Sequence, residues 1–283
     1  MTTAAAAVTT DHNEETIALA KKESVEHMDG MKELYDLMRS KSLIVRAYAL
    51  DDPNAPNPSP DNNVKTVHFV RHGQGFHNLM ADIARKEGQK WEQFSLQPEN
   101  PYVMPEITDA PLTEKGRQQA LMLRATVCEL HDQPELIVLS PNCRALQTGV
   151  LAFGELLPTV PFLAHEMVRE ETGVHVCDKR RSRSNQEKEF PMVDFSLIEQ
   201  DEDAIFNPNR REAKTEVGNR IYQFMEWLSE RSEKHVGVAS HSGWLLTLFN
   251  GVCETKQPSS EILTRWFQTG EMRSVKLQFV RQV

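Results

Sequence analysis

Val64-Lys65-Thr66-Val67-His68-Phe69-Val70-Arg71-His72-Gly73-Gln74-Gly75 is a short apolar run that ends abruptly in a cation, an imidazole and two glycines. Val64–Val70, bounded by polar residues, predicts a buried strand. Working outward, Thr113 is an N-cap candidate for a helix reaching about Leu130, and Leu136-Ile137-Val138-Leu139 predicts the next strand. A helix over Arg144–Leu156 and a weaker strand around Val160–Val168 follow, and residues 171–210 are too irregular to assign. Val217, Ile221, Phe224, Met225 and Leu228 then share one face of an amphipathic helix. His235–His241 predicts another strand, Ser242 opens a helix, and Val275–Val280 is a last strand. Such alternation implies an α/β protein, a three-layer α/β/α sandwich around a mostly parallel central sheet. In sheets of this kind ligands bind beyond the carboxyl ends of the strands.

Upstream of Val64 the composition changes. Residues 1–15 are small and polar and are expected to be disordered. Residues 16–50 predict a helix, with Val25, Met28, Met31, Leu34, Leu37 and Met38 at three-to-four spacing. The Pro- and Asn-rich stretch from Asp51 to Asn63 reads as an extended connector. The expected organisation is thus a disordered segment 1–15, a helical extension with its connector over 16–63, and a catalytic domain over 64–283. The apolar stripe at 25–38 suits packing on that domain, with a homodimer contact as the alternative.

The 283 residues are 39 % hydrophobic, enough for a substantial core. A net charge of −9 argues against nucleic acid or an anionic membrane as partner, since both call for a basic footprint. No stretch approaches the ~18 uninterrupted apolar residues of a membrane span. The Ala/Thr-rich start, Met1 to Thr10, runs straight into acidic residues and has no basic segment leading an apolar core, so the expected location is cytoplasmic. Cys128, Cys143, Cys177 and Cys253 are widely spaced without a CxxC pair and read as reduced thiols.

The predicted strand ends collect a specific chemistry. Arg71 and His72 follow the first strand, Ser140, Cys143 and Arg144 the second, Glu170 and Glu171 the third, and His241 ends the fourth. A neutral imidazole is a competent nucleophile near neutral pH and forms a labile N–P bond. Arginine forks match phosphoryl oxygens, a protonated second histidine adds charge opposite the developing transition state, and a carboxyl group can protonate the leaving alkoxide and then activate water. Gly73 and Gly75 would let the backbone approach a phosphate closely. Taken singly, each of these residues reads equally well as a satisfied structural group. Their joint fall after successive strands is what points to phosphoryl transfer.

Val70-Arg71-His72-Gly73-Gln74, with Asn78 six residues after the histidine, resembles the signature of the histidine phosphatase superfamily, the phosphoglycerate mutase-like proteins. Ser140-Pro141-Asn142-Cys143-Arg144-Ala145-Leu146-Gln147-Thr148 is similar to that family's second motif, and Ala239-Ser240-His241-Ser242-Gly243 to its distal histidine motif. Asp109-Ala110-Pro111-Leu112-Thr113-Glu114-Lys115-Gly116 resembles the segment opening its first long helix. The resemblance runs from about Val64 to Phe279 and implies a phosphoglycerate mutase-like fold. It implies that His72 is the nucleophile, that Arg71, Arg144 and His241 hold the phosphoryl group, and that Asn78 and Gly73 make further substrate contacts. Glu170 resembles the acid of plant and fungal mutase-like proteins, with Glu171 as the alternative.

The departures narrow the reading. His72 is not followed by the further arginine of the acid phosphatase and phytase branch, and His241 is followed by Ser-Gly instead of aspartate. Beyond the glutamate, Gly173-Val174-His175-Val176-Cys177-Asp178-Lys179-Arg180-Arg181-Ser182 lacks the tyrosine- and leucine-bearing stretch of true mutases. The expectation is a phosphatase acting on a small phosphorylated metabolite with no cofactor and no metal. A mutase-type isomerase, or a non-catalytic binding member of the fold, stands as the alternative. Lys179, Arg180, Arg181 and Arg183 could steer an anionic substrate under a lid within 175–210 anchored by Phe190, Phe195 and Phe206; a solvated loop is the plainer reading. Cys143 beside Arg144 lacks the spacing of a thiol phosphatase and reads as packing.

Overall fold

The computed structural model describes residues 30–59, 62–86, 88–90, 94–95, 97 and 99–282. Residues 1–29, which hold the expected disordered segment and the first part of the expected helix, lie outside them. Helix α1 covers residues 30–39. It ends where Ser40 and Lys41 donate backbone N–H groups to the carbonyls of Leu37 and Met38. The helix expected over 16–50 is therefore corrected at its end: Leu43–Ala49 forms strand β1. Ile44 and Val45 favour extended backbone, and the strand gains a neighbour on each side, which a helix at this place could not have.

Strand β2, Asn63–Arg71, carries the opening sequence, and α2, Phe76–Ala84, starts immediately after its glycines. Helix α3, Glu114–Cys128, begins at Thr113, whose hydroxyl accepts from Gly116 N–H as expected of an N-cap. Then follow β3 (Leu136–Leu139), α4 (Cys143–Ala152), β4 (Phe162–Ala164), α5 (Arg183–Glu189) and α6 (Lys214–Glu230). The chain continues through β5 (His235–Ser240), α7 (Ser242–Thr247), β6 (Glu254–Thr255), α8 (Ser260–Leu263) and β7 (Met272–Arg281). The weak strand expected around Val160–Val168 is shorter than that, because a 3₁₀ turn takes over at Glu166–Val168. The unassigned stretch 171–210 contains α5.

The seven strands form one sheet in the order β4-β3-β5-β2-β7-β1-β6. Only β7 runs against its neighbours; β4, β3, β5 and β2 are mutually parallel, as are β1 and β6. Alternate strand residues feed different cores, because successive side chains point to opposite faces. Leu136, Val138, Val236, Val238, Val67 and Phe69 pack with α1, α6 and α7. Ile137, Leu139, Ala239 and Val70 pack with α3 and α4. The architecture is thus the expected three-layer α/β/α sandwich.

Met31, Leu34 and Met38 of α1 are buried in the first of these cores. Leu34 lies so close to α6 that a Cβ on Gly218 would come within 2.1 Å of it. This part of the apolar stripe is buried inside the chain, as packing on the domain requires, while Val25 and Met28 lie outside the described residues. Among the described residues no helix is long and apolar enough to cross a membrane.

Candidate active site

The four parallel strands bring the expected residues to one edge. Arg71 pairs in register with Ser240, and Leu139 with Ala239, so the ends of β2, β5 and β3 are level. His72 N–H donates to the Ser240 carbonyl at 3.0 Å, and Ser140 N–H to the Ala239 carbonyl at 3.0 Å. These backbone bonds place His72, His241 and Ser140 side by side before any side chain is considered. The His72 and His241 ring centroids are 5.0 Å apart.

His72 is 1 % exposed, and its tautomer follows from its two neighbours. Nδ1 lies 2.7 Å from the Gly73 carbonyl, which can only accept, so Nδ1 carries the hydrogen. Nε2 lies 3.2 Å from Arg144 Nε, which can only donate, so Nε2 keeps its lone pair. Burial, with Arg144 and then Arg71 beside it, pushes the imidazole well below its ordinary range and keeps it neutral. A neutral ring with Nε2 free of hydrogen and facing a guanidinium is the form a nucleophile needs.

Arg144, at the start of α4, is fully enclosed: Nη2 reaches Asp178 Oδ1 at 2.7 Å and Nη1 the Cys177 carbonyl at 2.5 Å. Asp178 also takes Arg211 Nη1 at 2.8 Å. Burial alone would raise the Asp178 carboxyl, but Arg211 and Arg144 together hold it below the usual carboxylate range. Arg71 donates Nη1 to the Phe267 carbonyl at 2.6 Å, and its Nε has no protein acceptor. His241 Nε2 lies 2.7 Å from Ser140 Oγ, while its Nδ1, also buried, has no partner. Burial, followed by Arg144 and His72, lowers His241 well below its ordinary range. That shift favours the neutral form of the second imidazole over the protonated one considered from sequence.

Glu170 and Glu171 are separated by their surroundings. Glu170 accepts from Trp244 N–H at 2.9 Å, Gly243 N–H at 3.1 Å, Glu171 N–H at 3.0 Å and Ser242 Oγ at 3.3 Å. It thereby sits at the start of α7, directly beside His241. Gly243 is required there, because a Cβ would stand 2.6 Å from Glu170 Oε1. Glu171 is ion-paired to Lys214 and, at 3.4 Å, to Arg211. Burial alone would raise its carboxyl, but these two cations outweigh that and lower it.

Two of the expected contacts also shape the turn. A Cβ on Gly73 would meet the Gly116 carbonyl oxygen at 2.3 Å, so this glycine lets the loop lie against the start of α3. Asn78 accepts from Gly75 N–H at 3.1 Å and donates to Tyr102 Oη at 3.2 Å, bracing the turn into α2. Most of the basic run is paired within the chain, while Lys179 stays exposed. Arg180 is buried against Glu166 and the carbonyls of Gln200, Asp201 and Glu202, Arg181 pairs with Asp109 and Glu189, and Arg183 with Glu187. Phe190 and Phe195 lie in the second core, so the segment expected to form a lid is stapled down. Cys143 is buried, and burial pushes its thiol up to about 12, in keeping with packing.

Sequence reading missed His77 and Asp178. His77 is buried between the His72 ring (5.6 Å) and the Tyr102 ring (5.1 Å), and its place inside the quoted motif was the available signal. Asp178 stood next to the basic run, and a lone carboxylate there marks a local counter-charge.

The family model described as histidine phosphatase superfamily (branch 1) matches residues 67–262. A phosphoglycerate mutase-like protein of Arabidopsis thaliana is 36 % identical over 214 residues, covering 66 % of this chain and 74 % of its own. Phosphoglycerate mutase-like protein 1 of the same plant is 33 % identical over 245 residues, covering 76 % and 82 %. Among solved structures, phosphoglycerate mutase from Bacillus anthracis is similar with a TM-score of 0.49 and 18 % identity, over 78 % of this chain and 93 % of that one. With the family model spanning more than half of its length, the chain belongs to the histidine phosphatase superfamily, branch 1.

Proposed function

We propose that the protein is a phosphatase that hydrolyses a phosphomonoester through a phosphohistidine on His72. The observation that carries the proposal is the His72 tautomer: Nδ1 is tied to the Gly73 carbonyl and Nε2 presents its lone pair to Arg144. In the first step Nε2 attacks phosphorus, the ester P–O bond breaks, and protonated Glu170 gives its hydrogen to the departing alkoxide. In the second, Glu170 as carboxylate takes a proton from water, which attacks the phosphorus. The N–P bond breaks, inorganic phosphate leaves and the His72 lone pair returns. Arg71 and Arg144 hold the phosphoryl oxygens, and His241 contributes an Nδ1 hydrogen when Ser140 donates to its Nε2. Glu170 suits the acid–base role because it lies at the start of α7, next to His241, and forms no ion pair among the described residues, whereas Glu171 is committed to Lys214 and Arg211.

Hydrolysis is favoured over a mutase reaction by the ion pairs around the site. Arg169 is paired with Asp203, Arg180 with Glu166, Arg181 with Asp109, Arg211 with Asp178 and Lys214 with Glu171. A mutase must hold a second anionic group of its substrate, and these cations already have carboxylate partners. The expected substrate is a small phosphorylated metabolite. The test is hydrolysis of an aryl phosphate together with acid-quench trapping of an acid-labile phosphoprotein. His72→Ala should lower turnover by roughly 10³-fold or more and abolish the trapped species. Unchanged turnover in that variant overturns the mechanism, and conversion of 3-phosphoglycerate to its isomer without phosphate release restores the mutase reading.

A further inference from the structure

Trp266 is an indole 48 % exposed to solvent, yet the loop carrying it is among the most tightly held near the site. Gly270 N–H bridges the carbonyls of Arg71 (3.2 Å) and His72 (3.1 Å), and Arg71 N–H donates to the Glu271 carbonyl at 3.0 Å. On the residue after Trp266, the Phe267 carbonyl receives Arg71 Nη1, and the Phe267 ring stacks on Phe249. The carbonyl of Trp266 itself accepts from Arg273 Nη2 at 3.0 Å. Thr269 is joined through Gln119 to the N–H of Gln74, in the same turn as His72. The indole is thereby held against Arg71, whose guanidinium carbon lies 6.0 Å from the ring centroid. A second ring, Phe76, follows Gly75 directly and is 43 % exposed.

We infer that Trp266 is a specificity-determining residue that receives a neutral aromatic ring on the leaving group of the phosphomonoester. The inference rests on the phosphatase reading and names its substrate class. Two observations carry it. A large apolar face left open beside a phosphoryl-binding arginine offers stacking to whatever is attached to the phosphoryl group. Four of the cations that could instead hold an anionic leaving group, Arg180, Arg181, Arg211 and Lys214, are ion-paired, and Lys179 lies over the Phe206 ring.

The experiment uses the full chain and two esters with similarly poor leaving alcohols, 2-phenylethyl phosphate and n-butyl phosphate. The same ratio is read in binding with their non-hydrolysable phosphonate counterparts. The wild type should prefer the phenyl compound by about 3- to 10-fold in kcat/KM and in affinity. Trp266→Ala should bring both ratios close to unity, and Trp266→Phe should restore most of the preference. Ratios that survive Trp266→Ala, or a wild type with no preference, overturn the inference. Phosphonate binding with the expected ratio but no turnover of either ester overturns the phosphatase reading and leaves the stacking site standing.

Discussion

In the proposed mechanism the chemistry turns on His72, whose tautomer is set by two neighbours of fixed hydrogen-bonding character, a carbonyl and a guanidinium. The same logic separates the two glutamates. Glu170 lies at the start of α7 with N–H and O–H partners and, among the described residues, no ion pair, whereas Glu171 is locked between two cations that hold it ionised. Glu170→Gln is expected to slow esters of poor leaving groups by about 10²-fold or more while affecting aryl phosphates far less, since phenolates depart without a proton. Steady-state rates on a paired alkyl and aryl phosphate check this. If Glu171→Gln shows the selective loss and Glu170→Gln does not, the acid has been assigned to the wrong residue. Both positions were legible in the sequence as neighbours, but the choice between them depends on Lys214 and Arg211, 43 and 40 positions further along.

At the scale of elements, the site depends on how the turn after β2 lies on the start of α3. A Cβ on Gly73 would stand 2.3 Å from the Gly116 carbonyl oxygen, and a Cβ on Gly116 would stand 2.2 Å from the Gln74 carbonyl oxygen. That carbonyl also accepts from Thr113 N–H at 2.9 Å. Gly116→Ala should therefore cost about 1–3 kcal/mol of stability and displace the turn that carries His72. Chemical denaturation and kcat measured on the same preparation check it, and an unchanged unfolding midpoint contradicts the close approach. The strand before the turn, its glycines and the helix from Thr113 were all readable, because a bounded apolar run, glycines and an N-capping threonine are local signals. Strand β1 was not. Its apolar residues continue those of α1 without a clear change of period, and only pairing with β7 and β6 makes extended backbone the better choice.

For the whole molecule, burial of histidines sets the response to acid. Burial pushes His68, His165 and His175 down to about 4, and it places His72, His77 and His241 well below the ordinary range. An unfolded chain takes up these protons near 6.5, which the folded protein refuses. Stability from these groups is complete above that pH, is lost as pH falls from about 6.5 towards 4, and is lost no further below the folded values. The carboxylates of Asp178 and Asp203, lowered in the folded state, add their loss only as pH falls below the usual carboxylate range. Urea midpoints should thus drop between about pH 7.5 and about pH 5, above the range in which Asp178 and Asp203 add their loss. Equal midpoints at those two values would show that the histidines are not held neutral.

The sequence by itself determined the layers of the fold and that Arg71, His72, Arg144 and His241 stand at neighbouring strand ends. Hydrophobic period, capping and glycine placement act over a few residues and can be read along a chain. Tertiary structure alone decided what the charges do. The basic run at 179–183 reads as a surface that attracts anions, yet in the folded chain Arg180 and Arg181 are bound to Glu166 and Asp109, 14 and 72 positions away. Whether a charge is free depends on which distant carboxylate packs beside it and how little water remains between them. That same distant packing leaves Trp266 open and fixed beside Arg71.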